Sequence, residues 1–345
     1  MMEIKTTMDE KSFSEKFLDC FLGCVAIGAL TAFLFLLFGS KAYGAENIEN
    51  LSQSQINELM LQKIYKLEKH VNALENNRIP AEIEFCGERV PKERGWVRGR
   101  LEKELLMLSR KQFILYIKRA NYKYFPYIEN RLKEWKMPDC LKYIPVIESA
   151  LNPNALSSAK AGGFWQFIPG TARRYGLKQN INWDDRSDFE KATDAALKYL
   201  KENYDRFGSW ALAMAAYNSG EDTIESAIRI QKTKDYYNLL LPTETMQYNY
   251  RAIVAYLVMS NPEAYGIYLN EGDLYKWPET EEVILELSKP KHVADIAAYL
   301  KISVVEFLWL NPQVKISSGK RPFKERFKNF IIRKDTHTFK IPKTP

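Results

Sequence analysis

The chain has 345 residues, 46% hydrophobic and 27% charged, with 16 Gly and 15 Pro, which supports one large or two modest domains with real cores and excludes a disordered or low-complexity chain. The net charge of +7 is uneven. Residues 315–345 hold ten Lys/Arg against two Asp/Glu, so the basic character belongs to the C-terminal tail, as a solvated face or as a contact for a polyanion.

Cys20 to Phe38 carries no charged residue and is preceded by Lys5, Lys11 and Lys16. Ala42-Tyr43-Gly44 then places small residues where a signal peptidase reads them. Residues 1–45 are expected to be a cleaved signal peptide or an uncleaved anchor, with membrane association through residues 17–39. In either case residues 46 onward lie outside the inner membrane, which disfavours nucleic acid as the partner of the basic tail. Cys20 and Cys24 sit inside the apolar run, which continues past both and argues against lipidation. Cys86 and Cys140 then remain for an oxidising compartment, either paired or as two small hydrophobes.

Residues 46–80 read as a polar helical spacer. Met60, Ile64, Leu67, Val71 and Leu74 repeat at heptad spacing, too briefly for a coiled coil. Residues 81–136 read as a lead-in followed by helices, with Pro126 opening a new one. Asp139 is expected to cap a helix over "DCLKYIPVIESAL", kinked at Pro145, with Leu141, Ile144, Ile147 and Leu151 on one face and Glu148 near its end. Helices are predicted over 188–207, ending at Gly208, over 210–220 as a buried central helix, and over 243–260, capped by Thr243. No alternating pattern appears between 100 and 262, so this region is expected to be all-α. Beyond 280 the pattern changes to strand (283–287), two short helices ("VADIAAYL" and 304–311) and strand (339–342), a small β-α-α-β unit.

The three histidines are His70, His292 and His337. The central region therefore lacks material for a Ser-His or Cys-His nucleophile or a His-rich metal site. Chemistry there must come from carboxylates, hydroxyls and backbone dipoles, and no cofactor or metal is implied.

Glu148 stands in an apolar run just before the turn-rich segment "ALNPNALSSAKAGGFWQFIPGTA". That stretch, with "AAYNSG" and "LPTETMQY", resembles in order and spacing the family 1 soluble-lytic-transglycosylase domain, and most closely its membrane-bound lytic transglycosylase D branch. The lead-in "FCGERVPKERGWVRGRLEKEL" and "WDDRSDFEKATDAALKYL" are similar to the same branch, so the resemblance covers roughly residues 81–270 with a core over 125–262. It implies a mainly α, lysozyme-like fold. It also implies a non-hydrolytic glycan lyase that cleaves the β-1,4 bond between N-acetylmuramic acid and N-acetylglucosamine in peptidoglycan and leaves a 1,6-anhydro end. The basic tail from 280 to 345 resembles a degenerate lysin-motif module without the usual opening Gly-Asp-Thr.

The resemblance makes Glu148 the catalytic residue, general acid first and base afterwards, with the substrate's own hydroxyl as nucleophile. That role needs a raised pKa, for which Val146, Ile147, Phe164, Trp165 and Phe167 are expected wall material. It further assigns Ser157 to the neighbourhood of the carboxyl, Gly163 to close approach of sugar and backbone, and Gln166, Tyr217, Asn218, Glu244 and Tyr248 to substrate binding. Lys160 stands where many members carry glycine. Two alternatives stay open: a hydrolysing muramidase of goose-lysozyme type, with Asp184, Asp185 or Glu221 as second acid, and a non-catalytic peptidoglycan-binding scaffold.

Overall fold

The computed structural model describes residues 79–107, 110–316 and 322–343, together with positions between 52 and 65. The expected leader or anchor, Cys20, Cys24 and the C-terminal half of the heptad stripe lie outside them. The described positions from 54 to 65 are helical. No helix among the described residues is long and apolar enough to cross a membrane. The chain divides into two compact units, Met1–Glu68 and Lys69–Pro345. All candidate site residues lie in the second.

The second unit begins with a two-residue hairpin, β1 (Glu84–Phe85) and β2 (Glu88–Arg89), followed by helices α1 (Gly95–Met107), α2 (Arg110–Arg119) and α3 (Phe125–Glu134). A π-helical turn, Ala120–Tyr124, joins α2 to α3. Asp139–Tyr143 is a 3-10 turn leading into the short helix α4 (Ile144–Ser149). The expected kink at Pro145 is absent, because the α-helix starts only at Ile144 and Pro145 lies in its first turn, where a missing N–H costs nothing. Asp139 makes no cap either; Pro138 occupies that place.

The core is built around α6 (Phe189–Phe207), α7 (Trp210–Ser219) and α9 (Thr243–Ser260), with α5 (Pro169–Arg174) and α8 (Glu221–Gln231) beside them. As its composition predicts, α7 is enclosed: every residue from Trp210 to Ala216 is buried, and its alanines let neighbouring helices approach closely. Its N-terminus is capped twice. Ser209 Oγ accepts from Leu212 N, and the Glu88 carboxylate, 122 residues distant, accepts from Trp210 N, from Ala211 N at 3.2 Å and from Ser209 Oγ at 3.0 Å. An acid against the helix N-terminus thus ties the lead-in hairpin to the core. Thr243 does not cap α9; the cap position is Pro242, and Thr243 is the first helical residue.

The all-α expectation for 100–262 needs one amendment. A two-residue hairpin, β3 (Gln179–Asn180) and β4 (Trp183–Asp184), interrupts the helices. Two residues per strand are too few for an alternating pattern to show in sequence.

After Thr280 the chain forms a second, smaller apolar cluster. Strand β5 (Thr280–Leu287) pairs antiparallel with the last strand, β8 (Asp335–Pro342), over its whole length. Helices α10 (Val293–Tyr299) and α11 (Val304–Leu310) pack on this pair, and a short strand pair, β6 (Lys291–His292) with β7 (Ile331–Ile332), flanks α12 (Phe323–Lys328). The closing strand is thus twice as long as its four apolar-looking residues suggested. Trp183 of the β3–β4 hairpin belongs to this second cluster, against His337 and Phe339.

Cys86 and Cys140, 54 positions apart in sequence, form a disulfide with Cα atoms 5.4 Å apart. It fastens the lead-in hairpin to the turn that feeds α4. Closing a loop of that size restricts the unfolded chain by about 2–5 kcal/mol. The Cys86→Ser/Cys140→Ser double variant is expected to lose that much stability in urea denaturation; an unchanged midpoint would contradict it.

Candidate active site

Glu148 sits on the last turn of α4, where only six residues are helical. The chain then turns sharply: Ala150 and Leu151 both adopt left-handed φ, 54° and 56°. Two bonds hold this uncommon turn. Arg119 donates to the Ala150 carbonyl at 2.8 Å, and Ser149 Oγ donates to the Phe164 carbonyl at 2.7 Å. The carboxylate side chain therefore has a rigid base.

Glu148 is half-buried as a residue, but its carboxyl is stripped of water. Burial pushes its pKa up to about 7, and the negative charge of Glu244 adds to the rise. The hydrogen bond from Tyr248, whose hydroxyl donates to Glu148 Oε1 at 2.6 Å, and the charge of Arg251 act the other way. Burial wins. Tyr248 itself is buried, one turn and a half into α9, and its own pKa is raised well above the ordinary phenol value, first by burial and then by Glu148. It remains a proton donor at any working pH.

The walls come from both sides of the turn. Val146, Phe164, Trp165 and Phe167 are buried and Ile147 half-buried in the main core. Phe164 faces Tyr124 and Phe189 edge-on, and Trp165 gives its indole N–H to Thr193 at 3.0 Å. Both are core residues rather than an exposed aromatic platform. Tyr217 donates to the Trp165 carbonyl at 2.7 Å, so the hydroxyl expected to face substrate instead fixes the wall; burial and the nearby Glu148 raise its pKa well above normal. Asn218 accepts from Thr245 at 2.8 Å, joining α7 to α9 beside Tyr248. Glu244 is exposed on the first turn of α9.

The segment 155–167 folds back on itself. Ser157 is exposed and closes a turn with Ala161, accepting from its N–H at 3.0 Å. Lys160 carries φ 62° in that turn, a conformation suited to glycine, which explains in physical terms why glycine is usual there. Gln166, also left-handed at φ 51°, donates to the Gly163 and Ala155 carbonyls at 2.8 and 3.3 Å, leaving its side-chain oxygen uncommitted by those bonds.

Arg186 organises this segment, and sequence reading passed over it. Its buried guanidinium donates to the Lys160 carbonyl at 2.6 Å, to the Phe167 carbonyl at 2.9 Å and to the Asp184 carboxylate at 2.7 Å. Gly162 and Gly163 exist to let it in. A Cβ on Gly163 would lie 1.7 Å from the Arg186 carbonyl oxygen, and one on Gly162 would lie 2.8 Å from the guanidinium carbon. The backbone that approaches Gly163 in the structure is that of Arg186. The "GG" pair followed twenty-odd residues later by "DDR" was the available signal, but nothing local ties them together.

The other acids are committed. Asp184 is paired with Arg186. Asp185 accepts from the Trp183 indole at 2.7 Å, from Lys178 N at 2.8 Å and from Lys191 at 3.0 Å. Glu221 accepts from Tyr199 at 2.8 Å and from Arg174 at 2.5 Å; although burial opposes it, the bonds to Arg174, backbone and Tyr199 bring its pKa down to about 2. Glu221 therefore holds no proton near neutrality, and Asp184 and Asp185 are engaged by Arg186 and Lys191.

Residues 125–240 match the family model of the transglycosylase SLT domain. Over 204 residues, 56% of the chain, the sequence is 37% identical to the membrane-bound lytic murein transglycosylase D of Escherichia coli K12 and, equally, of E. coli O6:H1. It is also 35% identical over 112 residues to a putative tributyltin chloride resistance protein of an Alteromonas species, covering 32% of this chain and 54% of that one. The chain spans 43% of the length of the E. coli relatives.

The loop geometry sets two opposite expectations. Gly163→Ala should cost about 2 kcal/mol or more, since a Cβ meets backbone at a left-handed position. Lys160→Gly should gain about 0.5–1 kcal/mol, relief of left-handed strain being partly offset by a more flexible unfolded chain. Urea denaturation of both checks the signs.

Proposed function

We propose that this chain is a peptidoglycan lytic transglycosylase, an exported or envelope-associated enzyme whose SLT domain cleaves between N-acetylmuramic acid and N-acetylglucosamine without adding water. The region 81–270 would carry the chemistry and 280–345 would serve as a basic, lysin-motif-like accessory module on the glycan. The observation that carries the reading is one buried carboxyl, Glu148, held near pKa 7 by desolvation, with the neighbouring acids Asp184, Asp185 and Glu221 tied to cations. The disulfide fits an oxidising compartment. The E. coli relatives are named membrane-bound, which supports the leader or anchor expected before residue 46.

In this reading protonated Glu148 gives its proton to the glycosidic oxygen, and the bond from that oxygen to C1 of the muramic acid breaks. The muramic acid's own 6-hydroxyl then bonds to C1, and its proton passes to the Glu148 carboxylate, restoring the acid. An ordinary glycosidase needs a second carboxylate for nucleophile or base. Here an internal hydroxyl takes that place, with the advantage of an intramolecular reaction. Tyr248 keeps the carboxyl oriented through both proton transfers. Glu244 disfavours loss of the proton before substrate arrives. Ser157, Gln166 and Asn218 remain the substrate-binding candidates around it, with Tyr217 supporting the wall from behind.

Digestion of purified sacculi tests the proposal. The chain should release muropeptides with 1,6-anhydro ends, and Glu148→Gln should lower the rate at least about 100-fold. Hydrated reducing ends would instead favour the goose-lysozyme type of hydrolysis, with Glu244 the acid to pursue. No release by either protein, with the chain folded and bound to sacculi, would favour a non-catalytic scaffold.

The pH profile gives an independent check. Glu148 must start protonated, so the rate should fall as pH rises through about 7. The Tyr248 bond favours the charged carboxylate, so Tyr248→Phe should move that limb to higher pH while lowering the maximal rate.

A further inference from the structure

Between the main core and the C-terminal module lies a cavity of about 500 Å³, lined in part by the loop that follows Glu148, though not by Glu148 itself. Leu151, Asn152 and Phe164 form part of one wall, and Trp277 and Trp309 part of the other. The two indoles are stacked, with centroids 5.5 Å apart and planes 18° from parallel. Trp309 is half-exposed at 51%. The indole N–H of Trp277 is buried without a hydrogen-bond acceptor.

Charge in this cavity is unevenly satisfied. Lys340 is paired with Glu190, and Lys191 with Asp185 and Asp188. Lys123 is different. Its half-buried ammonium lies 4.9 Å from the Trp277 ring and 5.8 Å from the Tyr124 ring, and makes no hydrogen bond or ion pair among the described residues. Burial lowers its pKa, with Lys340 adding to the effect and Glu190 opposing it. Arg119, one turn earlier, spends one nitrogen on the Ala150 carbonyl and meets no carboxylate among the described residues. Lys123 and Tyr124 lie in the π-helical turn, an irregularity that recurs at functional sites. Glu282, also lining the cavity, makes no ion pair among the described residues.

An ammonium with three free donors beside an apolar aromatic face calls for a carboxylate carried on a small organic chain. We propose that this cavity is a second substrate site that binds the carboxylate-bearing stem peptide of peptidoglycan, with Lys123 as its anion partner, the Trp277–Trp309 stack as its apolar platform and Glu282 as the partner for an amine. The identity of the ligand rests on the proposed function; the demand for a carboxylate beside an apolar surface does not. Occupancy would hold a glycan strand by its peptide while the Glu148 carboxyl acts on the sugar.

The test is isothermal titration of the full chain as Glu148→Gln, which keeps the probe intact, with purified GlcNAc-MurNAc-tetrapeptide. Two sites per chain are expected. Adding Lys123→Gln, or Trp309→Ala at a half-exposed position, should weaken one site at least tenfold and leave the other unchanged. The free tetrapeptide should fill only the sensitive site, and chitotetraose, which has no carboxylate, only the insensitive one. A single site indifferent to both substitutions, or chitotetraose filling the sensitive site equally well, would overturn the proposal. Sacculus digestion is read separately, so loss of the second site and loss of the cleavage reading give different results.

Discussion

A carboxyl that keeps its proton near neutrality must be kept from water and offered few donors, and that single demand on Glu148 governs the architecture around it. A carboxyl on a long surface helix would be solvated and acidic. Here α4 is only six residues long, and the chain leaves it through two consecutive left-handed residues. Such a turn is unstable on its own. It persists because Arg119 and Ser149 tie it to the helix before it and to the wall after it. The wall in turn is core: Phe164 and Trp165 are buried, held by ring contacts and by the Trp165 bond to Thr193.

The second organising group is Arg186. Buried guanidinium is costly unless all its donors find acceptors. Arg186 meets that cost with Asp184 and two loop carbonyls, and so fixes the segment that carries Ser157 and Gln166. Its neighbour Trp183 is a core residue of the C-terminal module, and Asp184 N donates to the Gln313 carbonyl at 2.8 Å. The same short hairpin therefore anchors the C-terminal module on one side and the 155–167 segment on the other. A separate module on a flexible tether would leave Asp184 and Arg186 without that brace.

Much of this was legible in the amino-acid sequence, for definite reasons. Helices α6, α7 and α9 show in their apolar spacing because each buries a broad face. Glu148 shows because a lone acid in "IPVIESAL" conflicts with its surroundings. Ser157, Gln166, Tyr217, Asn218, Glu244 and Tyr248 were found through the ordered motifs, and the structure brings Tyr248, Glu244 and Tyr217 within electrical or hydrogen-bonding influence of Glu148. What failed to show is non-local. The fit of Arg186 into Gly162 and Gly163, the cap that Glu88 supplies to α7, and the place of Trp183 in the second apolar cluster all depend on chain crossings that local pattern does not encode. Pro145 and Thr243 misled for a different reason: the first, expected inside a helix, lies in its first turn, the second, expected as the cap, is the first helical residue, and shifting a helix start by a few residues changes what each does. Whether Cys86 and Cys140 pair was open in the sequence and is closed by geometry.

The account stands on the ionisation of one group, and the most direct measurement is its titration in the folded chain. Carbon-13 NMR of labelled glutamate, with Glu148→Gln identifying the resonance by its loss, reads the carboxyl without reference to substrate. The account predicts half-protonation near pH 7. A midpoint near the ordinary 4.5 would mean that the site is wet, that Glu148 is ionised before substrate binds, and that the single-acid mechanism does not hold.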